Sequence, residues 1–270
     1  MPKPFIKYCG GKTKLLKYLT LPDSYNNYFE PFVGGGSVFL NFYEYNHERH
    51  YNVSDINESL INCYNVIKTR LEALILELKN EHYKNLKTVY LENRKRFNML
   101  KKEPFKDNEI ERAALFIYLN KCGFNGMYRE NKKGEFNIPF GRMKNPDICN
   151  EKLLKDICAI LQNVNIESCD YTAILDKVRA NDFVYMDPPY DNTFTSYTKD
   201  VFVKEHQIQL KNFVDVLTEK KVHVLLSNSN TEFIKSLYTD YNITYLETRY
   251  SIGGKNASRN IKNEVLISNY

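Results

Sequence analysis

The residues best able to do chemistry stand together in Asp187-Pro188-Pro189-Tyr190, directly after the apolar run Phe183-Val184-Tyr185-Met186. The run reads as a buried strand, and it must stop there, because neither proline carries an N–H for a sheet ladder. In an open α/β sheet, ligands bind beyond the carboxyl ends of the strands. A carboxylate, a stiff backbone with free carbonyls and an aromatic face would all project from one strand tip. That set suits a planar, hydrogen-bonding substrate such as a nucleobase. For a bare Asp-Pro the simpler reading is a surface turn after a core strand, so the rest of the chain must supply what such a site needs.

A cofactor could be held by a glycine turn. Tyr28 to Val33 reads as a strand, followed by Gly34-Gly35-Gly36-Ser37 and the apolar helix start Val38-Phe39-Leu40. Strand, glycine turn and helix make a nucleotide-binding unit, but the third glycine of the dinucleotide fingerprint would fall where Phe39 stands. The next strand, Tyr51 to Ser54, ends at Asp55, about 20 residues past the glycines, where an acid can accept ribose hydroxyls. The unit should therefore bind an adenosine-like ligand with a ribose and no need of pyrophosphate. S-adenosylmethionine fits that description, and a dinucleotide fits it less well. Near the start, Gly10-Gly11-Lys12-Thr13 ends like a phosphate loop, but that motif needs a glycine where Ile6 stands. What remains is a turn that brings Tyr8 and Lys12 together and opens a helix over Lys14 to Leu19.

The intervening elements are helical. Asn57 to Lys68 carries Leu60, Ile61, Tyr64 and Ile67 on one face. Leu71 to Leu100 and Glu109 to Leu119, rich in Lys and Glu, read as helices of an inserted subdomain. That insert ends in Asn120 to Gly141, where glycines at 123, 126, 134 and 141 predict a loop and a β-hairpin turning at Lys132-Lys133-Gly134. Six basic residues against two acids between Lys121 and Lys144 make the stretch electropositive. Phe124, Asn125 and Arg129 supply a ring, an amide and a guanidinium, groups that wedge, position and read bases. After the Asp-Pro-Pro-Tyr run, Asn192 to Tyr197 is a polar aromatic loop able to close over a substrate. His206 to Leu217 and Phe233 to Leu237 read as helices. Val222 to Leu226, Ile243 to Glu247 and Glu264 to Ser268 read as strands, and Ser251 to Asn260 as a basic, flexible loop.

The totals are consistent with this. The formal charge of +5 is modest, but it is concentrated in the lysines of the first twenty residues, in the Lys121 to Lys144 stretch and around Arg249, Lys255, Arg259 and Lys262. Three separated basic stretches fit a polyanion better than one tail would. The six cysteines form no C-x-x-C pair and have no histidine in ligand spacing, which argues against zinc and a disulfide framework. No metal is expected. With no signal-like or membrane-spanning apolar run, a reduced, soluble, cytoplasmic protein is expected.

Taken together, the Y-C-G-G-K, F-E-P-F-V-G-G-G-S, S-D-I-N, N-G-M-Y-R…G-E-F-N-I-P-F-G and D-P-P-Y segments resemble, in order, the Dam-type DNA adenine-N6 methyltransferases. The resemblance runs from about Phe5 to Tyr270. It implies an α/β fold, a Rossmann-like S-adenosylmethionine-dependent methyltransferase sheet with an inserted helical and β-hairpin DNA-recognition subdomain. Residues 1–68 and 146–270 would form the catalytic domain and 69–145 the target-recognition insert. Asp187, Pro188, Pro189 and Tyr190 match the catalytic motif. Tyr8, Lys12, Phe32, Gly34, Asp55 and Asp187 match positions that bind S-adenosylmethionine. Lys7 matches a lysine that reads the outer guanine of GATC, and Phe124 and Asn125 match an intercalating aromatic and its phosphate-contacting neighbour. Met127, Arg129 and Pro139 match base-contacting positions, the arginine facing a guanine. Tyr8 stands where the family commonly has Trp, and the loop after Tyr190 is shorter than in many members. The implied partner is double-stranded DNA, at GATC or another short GAT-containing site. A cognate restriction endonuclease is a further partner such a system can carry. The competing readings are an RNA or glutamine-amide methyltransferase, a nicotinamide-dependent oxidoreductase and a non-catalytic DNA-binding protein.

Overall fold

Four consecutive buried residues set the centre of the sheet. In the computed structural model, β4 spans Phe183–Met186, and its side chains divide by the two-residue period of a strand. Phe183 and Tyr185 join the apolar cluster on one face, and Val184 and Met186 join the cluster on the other. A strand covered on both faces has no place for polar residues, which is why this run reads as continuously apolar. The structure describes residues 2–8, 10–44, 49–104, 107–191, 202–249 and 261–270, with backbone alone for 247–249 and 261–262. The loops expected at Asn192 to Tyr197 and Ser251 to Asn260 lie outside the described residues.

Among the described residues, seven strands form one sheet in the order β3-β2-β1-β4-β5-β7-β6. The others are β1 (Tyr28–Glu30), β2 (Tyr51–Asp55), β3 (Val164–Ser168), β5 (His223–Ser229), β6 (Asn242–Arg249) and β7 (Ile261–Ser268). The first five in chain order run parallel, and β7 is antiparallel to both of its neighbours. The chain winds outward from β1 to β2 and β3, then returns to lay β4 on the opposite side of β1. The crevice between the carboxyl ends of β1 and β4 is therefore the topological switch point, where a doubly wound sheet opens to ligands.

Helices cover both faces. On one lie α1 (Ser37–Phe42), α2 (Glu58–Thr69), α3 (Leu71–Leu78), α4 (Lys87–Leu100), α5 (Glu109–Cys122) and α6 (Glu151–Leu161), and α7 (Lys204–Glu219) and α8 (Glu232–Leu237) lie on the other. The core around α5 is continuous with the sheet core. Gly36 makes the turn into α1 possible: its φ is +73°, and a Cβ there would lie 2.7 Å from the Tyr64 hydroxyl. Among the described residues no helix is long and apolar enough to cross a membrane, and no group of three or more His, Cys, Asp or Glu side chains could hold a metal.

Several expected elements differ. The strand from Tyr28 ends at Glu30, because Pro31 cannot continue the ladder. The helix expected over Lys14 to Leu19 is a single 3-10 turn at Leu16–Tyr18, since only a short stretch separates the glycine turn from Pro22. Leu71 to Leu100 is broken by a 3-10 turn at Glu81–Tyr83 capped by Asn80. The hairpin near residue 134 turns where expected, with the Gly134 N–H bonded to the Asn131 carbonyl, but it is held by isolated bridges rather than by regular strands.

Candidate active site

The β4 tip carries Asp187, and the chain beside it supplies a counter-charge. Lys12 Nζ lies 2.7 Å from Asp187 Oδ1, with the lysine 3% and the aspartate 18% exposed. The ammonium also donates to the Gly10 carbonyl at 2.6 Å and stands 4.7 Å from the centre of the Tyr190 ring. The Lys12 backbone N–H donates to Ser37 Oγ, which ties the N-terminal turn to the start of α1. Burial pushes the Asp187 carboxyl above its ordinary range; Lys12 opposes that shift and the Glu264 carboxyl adds to it. A negative charge is thus kept in a largely dry crevice by one buried cation.

The turn after Asp187 is braced by polar groups that the sequence did not single out. Gln207 on α7 donates from Nε2 to the Pro189 carbonyl at 2.9 Å and accepts from Asn228 Nδ2 at 2.9 Å. Asn228 Oδ1 in turn accepts from the backbone N–H groups of Asp191 and Ser229. Asp191 accepts from Thr231 Oγ1 at 2.8 Å. Gln207, Asn228 and Asp191 are all buried, so the network is a closed set of satisfied polar groups. Of the free carbonyls expected on this rigid turn, that of Pro189 is instead held by Gln207. Tyr190 is fixed at its far end, the hydroxyl donating to Glu264 Oε2 at 3.0 Å.

On the other side of the crevice, Asp55 ends β2 with both oxygens engaged. Oδ2 accepts the Gly34 N–H at 3.0 Å and Oδ1 the Asn57 N–H at 2.9 Å. Burial nevertheless raises its pKa to about 6, against the opposing pull of the Asn57, Gly34 and Ile56 backbone groups. Tyr8 lies over the glycine turn, and Asn57 Nδ2 donates to its hydroxyl at 3.2 Å. Phe32 stacks with Tyr171 at 5.4 Å, and Ile56 is 61% exposed. A Cβ built on Gly10 would lie 3.5 Å from Lys12 Nζ and 3.9 Å from Asp187 Oδ2. An anionic acceptor, apolar walls and a glycine-lined approach to Asp187 fit an adenosine ligand that carries a positive charge near that carboxylate.

The predicted recognition residues gather on one surface. Asn120 Oδ1 accepts the Lys7 N–H, while its Nδ2 donates to the carbonyls of Lys7 and Gly126. Gly126 packs so closely on Lys7 that a Cβ would fall 2.8 Å from the lysine Cδ. Phe124 donates its N–H to the Pro139 carbonyl at 2.9 Å, and its ring is 48% exposed. Asn125 takes φ +57°. Arg129 is exposed, and its Nε donates to Asn137 Oδ1 at 2.8 Å, which orients the guanidinium. Met127 is half-buried. Tyr128 stacks 6.3 Å from Tyr8, so this surface packs directly against the cofactor side.

Residues 8–252 match the family model of the D12 class N6 adenine-specific DNA methyltransferases. The chain is 38% identical to the type II methyltransferase M1.LlaDCHI of Lactococcus lactis subsp. cremoris, covering 99% of this chain and 95% of that protein. It is 40% identical to the type II methyltransferase M.MjaIII of Methanocaldococcus jannaschii, covering 99% of each. It is 34% identical to the DNA adenine methylase of Escherichia coli K12, covering 98% of this chain and 94% of that protein.

The ion pair makes a pH-dependent prediction. Without Lys12 the Asp187 carboxyl would rise further, so its folded-state penalty grows as pH rises and the unfolded chain ionises freely. Lys12→Met should cost roughly 3–5 kcal/mol at pH 8, the usual loss when one partner of a buried pair is removed, and clearly less at pH 5. Urea unfolding at both pH values measures this. An equal loss at the two would mean that the pair does not set the Asp187 charge.

Proposed function

The chain belongs to the D12 class of N6 adenine-specific DNA methyltransferases, and we propose that it methylates a flipped-out adenine in GATC through Asp187, Pro188, Pro189 and Tyr190. The observation that carries this reading is the buried Lys12–Asp187 pair at the switch point, with Tyr190 beside it. The enzyme uses S-adenosylmethionine. Asp55 accepts the ribose hydroxyls, while Phe32, Gly34 and Ile56 line the nucleoside and Tyr8, Lys12 and Asp187 surround the reactive end.

An adenine inside a duplex hides its amino group, and flipping it out costs a few kcal/mol, ~3. Stacking on Tyr190 returns ~1–3 kcal/mol. The amino lone pair is delocalised into the ring, so nitrogen is a poor nucleophile. Asp187 and the Pro188 carbonyl each accept one amino hydrogen, which favours a pyramidal nitrogen with its lone pair directed at the methyl. Held by these residues, S-adenosylmethionine would supply a methyl activated by its sulfonium and leave as the neutral thioether, and Asp187 would take the proton that the amino group loses. Positioning and electrostatics therefore matter more than a strong base.

In the same reading residues 69–145 are the target-recognition insert. Lys7 reads the outer guanine, Phe124 intercalates, Asn125 holds a phosphate, and Met127, Arg129 and Pro139 contact bases. Their support is that Asn120 and the Gly126 approach bring Lys7 onto the loop that carries the others. Another short GAT-containing site is the second reading. The type II names of two relatives favour a companion restriction endonuclease acting on the same sequence.

Two experiments follow. Methylation sequencing of DNA from cells expressing the chain should place N6-methyladenine in GATC. Arg129→Ala should relax the preference, since a bidentate contact to guanine is worth about 1–3 kcal/mol of discrimination. Equal losses on cognate and altered sites would assign Arg129 to the backbone instead. Separately, Asp55 must be ionised to accept two hydroxyls, so S-adenosylmethionine affinity should fall about tenfold per pH unit below about 6. Asp55→Asn should flatten that profile. Calorimetry showing pH-independent wild-type binding from pH 5 to 8 would remove Asp55 from the ribose.

A further inference from the structure

We propose that Glu264 is a positioning residue for methyl transfer, holding the Tyr190 ring as a preformed platform for the target base. The inference rests on the reading of Tyr190 as the stacking face and adds a residue from outside the catalytic motif. Glu264 belongs to β7, where it pairs with Ser229 of β5 and Leu246 of β6. It is 3% exposed and runs directly into the buried Val265-Leu266-Ile267. A carboxyl in such surroundings is costly unless its oxygens are used. One of them accepts the Tyr190 hydroxyl at 3.0 Å. Burial, Asp187 and Glu264 together hold the Tyr190 phenol well above its ordinary range, so it keeps the proton it donates.

This contact decides the ring's orientation. A tyrosine ring turns about two side-chain torsions, and tethering the hydroxyl fixes the far end of both. Lys12 Nζ covers one face, 4.7 Å from the ring centre. A base must then stack on the opposite face, and it meets a ring already placed relative to Asp187. A ring already held in place lets the stacked base reach the near-attack geometry that sets the rate of transfer. The loss should therefore fall on the chemical step rather than on the affinity for cofactor or duplex.

A double-mutant cycle on the full chain tests this. Glu264→Ala and Tyr190→Phe should each slow single-turnover methyl transfer about 10- to 100-fold, the scale of one hydrogen bond to a carboxyl. Dissociation constants for S-adenosylmethionine and duplex DNA should stay within about twofold. The double variant should be no slower than Tyr190→Phe alone, because that change already removes the bond that Glu264 accepts, along with the hydroxyl's interaction with Asp187. Glu264→Gln, which retains an acceptor oxygen, should recover most of the rate lost in Glu264→Ala. Tyr190→Phe deletes one oxygen from a partly exposed ring, so it remains informative even where Glu264→Ala folds poorly. Multiplicative losses in the cycle, or Tyr190→Phe at the wild-type rate, would overturn the proposal. Failure of the underlying functional reading would register separately, as absence of adenine methylation by the unmutated protein.

Discussion

The ion pair between Lys12 and Asp187 is the constraint on which the rest of the crevice depends. A carboxylate at the tip of a central strand, with both faces of that strand buried, cannot remain charged without a partner. Its partner comes from near the start of the sequence, delivered by the Gly10-Gly11 turn and fastened to α1 through Ser37. The same ammonium packs on Tyr190, so one buried cation positions both the Asp187 carboxylate and the Tyr190 ring. The Gln207–Asn228–Asp191 network then fixes the backbone between them.

Consecutive residues join the hairpin loop to the glycine turn after β1. Lys7 faces the loop that carries Phe124 to Arg129, and Tyr8 faces the glycine turn after β1. Asn120 clamps the backbone of Lys7 to that of Gly126, and Tyr128 stacks against Tyr8. A shift of the Phe124 to Arg129 loop would therefore be felt at the Gly34 turn within one residue. Under the proposed function, this contact would keep docking on DNA and presentation of the methyl group in register.

Much of this was legible in the sequence, and the exceptions have physical causes. β4 and its prolines declare themselves because a doubly buried strand leaves an unbroken apolar run and proline ends a ladder. Asp55 is readable as a strand-terminal acid at ribose distance from a glycine turn. β3 is not, because it is an edge strand whose side chains after Val164 are mostly exposed and polar. α6 does carry an amphipathic spacing, with Leu154, Ile157, Ile160 and Leu161 on its buried face. The partners of the site were hidden for a different reason. Glu264, Gln207, Asn228 and Asn120 meet their partners only through tertiary packing, and no local spacing announces it. The one available signal was an acid or amide bordering a buried apolar run, as with Glu264 before Val265 and Asn228 after Leu226.

The central claim, that Asp187 presents the adenine amino group for methyl transfer, is tested most directly by Asp187→Ala. Transfer of labelled methyl from S-adenosylmethionine to a GATC duplex would be measured beside DNA binding by the same protein. The account predicts that transfer is abolished while the duplex is still bound. Turnover near that of the wild-type protein would contradict it.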